Sequence, residues 1–124
     1  MKLHDAKYNK PKGIVTITCK TNIQDRTKIE FRLYEKLEEK KFIGEATVKD
    51  GKVSLKVRDS DLIKNGKFEI GASIKVNEKD NVTFKKRYGD EQEIENNIEI
   101  EGGSVSSVDD GGYVVHFDHL GKTK

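Results

Sequence analysis

From Gly13 onward apolar residues recur at every second position: Val15, Ile17 and Cys19, then Ile29, Phe31 and Leu33 beyond the polar stretch TNIQDR. Side chains that alternate in this way line one face of an extended chain, so both runs are predicted as strands. Phe42, Ala46 and Val48 continue the pattern around Gly44, and Asp50-Gly51 stands directly before Val53, Leu55 and Val57. An Asp-Gly pair between alternating runs predicts a hairpin of 42–49 with 52–58, because a type I′ turn needs positive φ at both central positions. Phe68, Ile70, Ala72, Ile74 and Val76 make the longest alternation and read as a central strand. VTFKKRY (82–88) reads as a strand at a sheet edge, a weaker run surrounds Ile98 and Ile100, and YVVHFDHL closes the fold with Tyr113, Val115 and Phe117 on one face. One segment has a helical rival: in IEFRLYEKLEEKKF, Ile29, Leu33 and Leu37 also fall at i, i+4 spacing. The alternation of Ile29, Phe31 and Leu33 favours strand, turn and strand, with LEEKK as the loop.

Seven or eight short strands roughly 10–15 residues apart, with the sole proline outside them at Pro11, predict an all-β antiparallel sandwich. The expected organisation is an N-terminal arm at 1–12, a sandwich domain at 13–120 and a flexible tail at 121–124.

Only 33% of the 124 residues are hydrophobic and 37% are charged. The apolar third is nevertheless rich in Val, Ile and Phe, which separates the chain from a disordered polyelectrolyte. No apolar run approaches the roughly 18 residues of a membrane span, so no membrane insertion is expected. MKLHDAKYNKPKG lacks the apolar core of a secretory signal. A single cysteine, Cys19, excludes an internal disulfide framework and falls on the inward face of its strand, where a thiol is expected to be inert.

The formal net charge of +2 conceals a division. Residues 1–88 carry 22 Lys/Arg and 13 Asp/Glu, whereas 89–120 carry nine acids and no Lys or Arg. Two readings follow. The acidic segment pairs with basic neighbours across the sheets, or the molecule presents a dipolar surface that orients a partner or assembles head to tail.

Candidate chemistry is sparse. Phe84-Lys85-Lys86-Arg87-Tyr88 is the best site for a polyanion, since Lys85, Lys86 and Arg87 can neutralise phosphates and an exposed Tyr88 can stack on a base. The plainer reading makes Phe84 a core residue and the basic run a guard against edge-to-edge pairing. His116 and Asp118 share a strand face and are the weak candidates for metal ligands, with His119 pointing away. Asp59, Asp61 and Asn65 could offer oxygens to calcium, but Ser60-Asp61 reads equally as the cap of one helical turn at 62–65. Asp109-Asp110-Gly111-Gly112 reads as a turn. Ser104, Ser106 and Ser107 lie in a predicted loop without nucleophile-elbow context. No catalytic residue and no cofactor is expected.

Turn and strand signatures carry a resemblance. Lys20-Thr21-Asn22-Ile23-Gln24-Asp25-Arg26-Thr27 resembles the Lys-Thr-Asn-Leu-Pro-Asp-Gly-Thr turn between the first strands of an immunoglobulin-like sandwich module widespread in Gram-positive envelope proteins and lipoproteins, with Gln24 and Arg26 replacing proline and glycine. VKDGKVSLKV, NGKFEIG and GGYVVHFD are similar to its later hairpin, central strand and closing strand. A looser likeness, in TKIEFRLYE and the hairpin after it, is to immunoglobulin-like modules of phage tails and type VI secretion spikes. Both likenesses imply an immunoglobulin-like fold and an adhesive or structural role, extracytoplasmic for the first, and neither carries a site residue. The functional expectation is therefore a non-catalytic module that binds a protein partner in a bacterial or phage protein, with self-association open. Its rivals are a module for nucleic acid or an anionic wall polymer, using 84–88, and a small metal-dependent enzyme using His116 and Asp118.

Overall fold

The computed structural model describes residues 2–9, 12–34, 41–58, 69–90, 93–94, 104–108 and 112–122. Within them the chain forms β1 (Lys2–Asn9), β2 (Ile14–Lys20), β3 (Lys28–Tyr34), β4 (Lys41–Thr47), β5 (Lys52–Arg58), β6 (Glu69–Val76), α1 (Val82–Tyr88), β7 (Ser104–Ser107) and β8 (Tyr113–Lys122). The strands build two antiparallel sheets, β1-β2-β5 and β4-β3-β6-β8-β7, which makes the protein an all-β sandwich. Val15, Ile17, Cys19 and Val53 face inward from the smaller sheet. They meet Ile29, Phe31, Leu33, Ile70, Ala72, Ile74, Val115 and Phe117 of the larger sheet, all buried. These are the positions that period-two alternation selects, and packing one face of each sheet against the other removes both from water.

Residues 29–34 and 41–47 are strands: β3 pairs with β4, so the helical rival fails there. The Asp50-Gly51 turn also forms, with φ of 51° and 76°. Its pairing differs from expectation. Only Lys49 and Lys52 bridge across it; beyond them β4 joins β3 in one sheet and β5 joins β2 in the other. The turn thus carries the chain from sheet to sheet, because β3 and β2 already lie in different layers.

Four further expectations are corrected. Residues 2–9 are a paired strand, not an arm; a bulge leaves His4 without a register partner between Leu3 and Asp5, which breaks the alternation that marks strands in sequence. Residues 82–88 form helix α1, not an edge strand. Phe84 and Tyr88 are its buried residues, spaced i, i+4, while Lys86 occupies the position that alternation would require to be apolar. Residues 104–107 form edge strand β7 beside β8, not a loop; and β8 runs through Gly121 and Lys122, which pair with Ile70 and Glu69, so these two residues are strand and not part of a flexible tail. The helical turn expected at 62–65, the LEEKK loop up to Lys40, the run around Ile98 and Ile100 and the Asp109-Asp110 turn lie outside the described residues.

Asn81 positions α1. The register of β3 with β6, in which Glu30 opposes Ser73, would next set Lys28 opposite Lys75. There the Asn81 carboxamide enters between the strands. Its Oδ1 accepts from Lys28 N at 2.7 Å, and its Nδ2 donates to Lys28 O at 3.1 Å and Lys75 O at 2.8 Å. One side chain thereby replaces a rung of the ladder and ties the helix start to the sheet. The backbone of Asn81 is left-handed, φ 54°, a conformation that asparagine tolerates better than most residues. Replacing it by aspartate keeps the shape but removes both donors and sets a carboxylate oxygen against two carbonyls. Asn81→Asp is expected to lower stability by about 1–3 kcal/mol in urea denaturation.

Arg26 is left-handed as well, φ 75°, at the place where the resembled turn has glycine. A Cβ there is strained and glycine is not, although glycine adds entropy to the unfolded chain. Arg26→Gly is therefore expected to raise stability, by up to about 1 kcal/mol, read as a higher urea midpoint.

Candidate functional site

The basic residues singled out in the sequence sit on α1. Lys86 and Arg87 are exposed and Lys85 is half-buried, in the last turn of the helix, where the carbonyl end of the helix dipole favours cations. Tyr88 does not join them. It is only 3% exposed, with its ring 4.6 Å from that of Phe84. Its hydroxyl accepts from Gln24 N at 3.1 Å and donates to Asn22 O at 3.5 Å. A tyrosine so engaged cannot stack on a base, so the expected aromatic member of a polyanion site is a structural pin. The Arg87 guanidinium lies 5.5 Å from the centre of the Tyr88 ring and covers its outer side.

His116 lies on the solvent side of β8, opposite Ser73 of β6 and Ser104 of β7. The side chain of Asp118 lies outside the described residues, as do Asp59, Asp61 and Asn65. Among the described residues no three His, Cys, Asp or Glu side chains gather as metal ligands would. Nor is any helix among them long and apolar enough to cross a membrane.

The outer face of the five-stranded sheet holds a feature that pattern reading passes over. Arg32 Nη1 donates to Ser73 Oγ at 2.8 Å, and Arg32 Nη2 meets Glu30 Oε2 at 3.3 Å. The Arg32 and Glu30 side chains keep 28% and 29% of their exposure, while Ser73 beneath is buried. Beside them Tyr34 lies over Gly71, so closely that a Cβ on residue 71 would come within 2.7 Å of its ring. The central strand β6 is thus covered on both sides, by the core within and by Arg32 and Tyr34 without. Glu30 and Arg32 at i, i+2 in a strand were visible as a like-faced pair; their partner Ser73, 41 positions on, was not.

At the end of the same face a polar cleft of about 90 Å³ is lined by Lys28, Glu30, Glu45, Lys75, Asp80 and Asn81. It is small beside the roughly 300–1,000 Å³ of pockets that enclose organic ligands. Asn81 is committed there to the backbone, as described above. The ion pairs of Lys7 with Asp5 at 3.7 Å and of Arg32 with Glu30 at 3.3 Å both lie within the first 88 positions. In the acid-rich part, Asp90 and Glu93 bond to each other's backbone, with Glu93 N donating to Asp90 Oδ1 at 3.1 Å and Asp90 N to Glu93 Oε1 at 3.4 Å. Compared with protein families, curated proteins and solved structures, the chain matches none.

Two buried groups set the response to alkali. Burial pushes the Cys19 thiol up to about 11. Tyr113, which donates to Gly89 O at 2.8 Å, is raised to about 12, first by burial and then by the nearby charges of Asp90 and Glu93. Both groups are raised in the folded state, so their contribution to stability is full below the ordinary values and is lost as pH rises through the folded ones. Urea stability is expected to fall from about pH 9 upward, and Cys19→Ala to flatten the part between about 9 and about 11. At neutral pH the native thiol is expected to react with iodoacetamide only on unfolding.

Proposed function

We propose that this protein is an immunoglobulin-like, non-catalytic binding module that engages a protein partner through the outer face of its five-stranded sheet, as part of a bacterial or phage protein. The immunoglobulin-like assignment draws support from the strand order. The first, second and fifth strands form one sheet, and the third, sixth and last lie side by side in the other, the division on which immunoglobulin-type sandwiches are built.

The observation that carries the binding role is the fixed Arg32–Tyr34 platform. Arginine and tyrosine are enriched at the centres of protein interfaces, because each offers a large contact area with directed hydrogen bonds. Their usual drawback is the entropy lost on ordering, about 0.5–1.5 kcal/mol for each long side chain. Here Ser73 and Glu30 hold the guanidinium and Gly71 seats the ring before any partner arrives. The face is supported by β6, in which every residue from Ile70 to Ile74 is buried.

The test is affinity capture from the native host with quantitative follow-up on the captured protein. The double variant Arg32→Ala, Tyr34→Ala and the wild type are both expected to melt cooperatively, and the double variant to bind that protein at least about ten-fold more weakly. Unchanged affinity in the double variant would remove this face from the function.

A further inference from the structure

The opposite side of the sandwich has a different character. On the outer face of β1-β2-β5 the side chains follow the register in rows. Lys49 stands opposite Lys52 across the turn, and Lys52 opposite Lys20. Two positions along, Ser54 opposes Thr18, which opposes Asp5; two further, Lys56 opposes Thr16, which opposes Lys7. Arg58 ends the face. Lys7, Lys20, Lys49, Lys52, Lys56 and Arg58 are all exposed, and Asp5, which pairs with Lys7, is the one acid on these rows among the described residues.

Like charges directly opposite each other across strands are destabilising. A run of lysines in consecutive register positions therefore opposes folding, and an anionic ligand that neutralised it would reverse that effect. The centre of the face narrows the ligand. Thr16, Thr18 and Ser54 fill it with hydroxyls, and Ser54 Oγ donates to Thr18 Oγ1 at 3.2 Å. Hydroxyls flanked by lysine and arginine are the groups that meet phosphate oxygens along a nucleic-acid backbone. Threonine and serine offer neither a stack for unpaired bases nor an apolar wedge for a bilayer. From Lys52 to Arg58 the face runs about 20 Å, and its three strands span about 10 Å. That matches roughly six base-pair steps of a duplex.

We propose that the outer face of β1-β2-β5 binds double-stranded nucleic acid through its phosphate backbone, without reading sequence. The site lies apart from the Arg32–Tyr34 platform and from the basic turn of α1, so it stands or falls independently of the protein-binding role. Four or so phosphate contacts predict micromolar affinity at low salt and a slope of about −4 in log K against log salt, the same for any sequence.

The experiment is fluorescence anisotropy with labelled DNA duplexes of about 20 base pairs and two unrelated sequences, titrated from about 50 to about 200 mM salt. Wild type is expected to bind both duplexes equally and to lose about 250-fold in affinity across that range. The triple variant Lys20→Gln, Lys52→Gln, Lys56→Gln is expected to bind at least about ten-fold more weakly at the low end, with a slope near −1, and to melt at or above the wild-type temperature. No binding by wild type at the low end would overturn the proposal, as would unchanged binding by the triple variant. Binding lost instead in Lys85→Gln, Lys86→Gln would overturn it in favour of α1. Two other results would also overturn it: tighter binding to phosphatidylserine vesicles than to the duplex, or salt-sensitive self-association in sedimentation that the triple variant abolishes while duplex binding is absent.

Discussion

The chain passes between its two sheets twice at one end of the sandwich, at residues 21–27 and at 48–51, and these crossings are tied to each other. Arg26 N donates to Val48 O and Val48 N to Thr27 O, both at 2.9 Å, while Thr21 N donates to Gly51 O at 3.0 Å. Asp25 Oδ1 accepts from Asp50 N at 2.9 Å. Because β2 precedes the first crossing and β3 follows it, this knot decides which strand belongs to which layer. The same crossing receives α1: the Tyr88 hydroxyl reaches Gln24 N and Asn22 O, so the helix is seated on the crossing at its end as it is tied to the sheet at its start. Left-handed residues at Arg26, Asp50 and Gly51 mark the places where the backbone is bent hardest to make it.

The inward positions of β2, β3, β5, β6 and β8 were legible in the sequence, since alternation is a local property imposed by the pleat. Pairing was not, because it depends on residues far apart in the chain; Asp50-Gly51 gave the correct turn and the wrong neighbours. Local signals also failed where geometry departs from the ideal. The bulge at His4 hid β1, and the aromatic pair Phe84 and Tyr88 fits a four-residue period that VTFKKRY obscures by also alternating at Val82, Phe84 and Tyr88. Asn81 looked like one more polar loop residue. Its role depends on two backbone groups, Lys28 and Lys75, that no local pattern brings together.

Charge is read the same way. The excess of cations in residues 1–88 was plain in the sequence, and its densest run is Lys85-Lys86-Arg87. In the folded protein that run serves the end of a seven-residue helix, with one member laid on Tyr88. The broader accumulation comes from lysines spaced across β2, β5 and the turn before β5, which become neighbours only through register. Spacing along a chain and spacing across a sheet are different measures of local charge, and a partner meets the second.

Strands β6 and β8 lie side by side at the heart of the larger sheet, yet residues 77–112 separate them. Adjacent antiparallel strands need only a tight turn, so closing this longer excursion costs about 2 kcal/mol of additional chain entropy. The excursion is partly folded on itself and stapled near its start by Asn81 and, midway, by Gly89 O to the Tyr113 hydroxyl. Each staple shortens the chain that is left to close. The order of events during folding is thereby constrained: the most buried pairing in the molecule is among its least local.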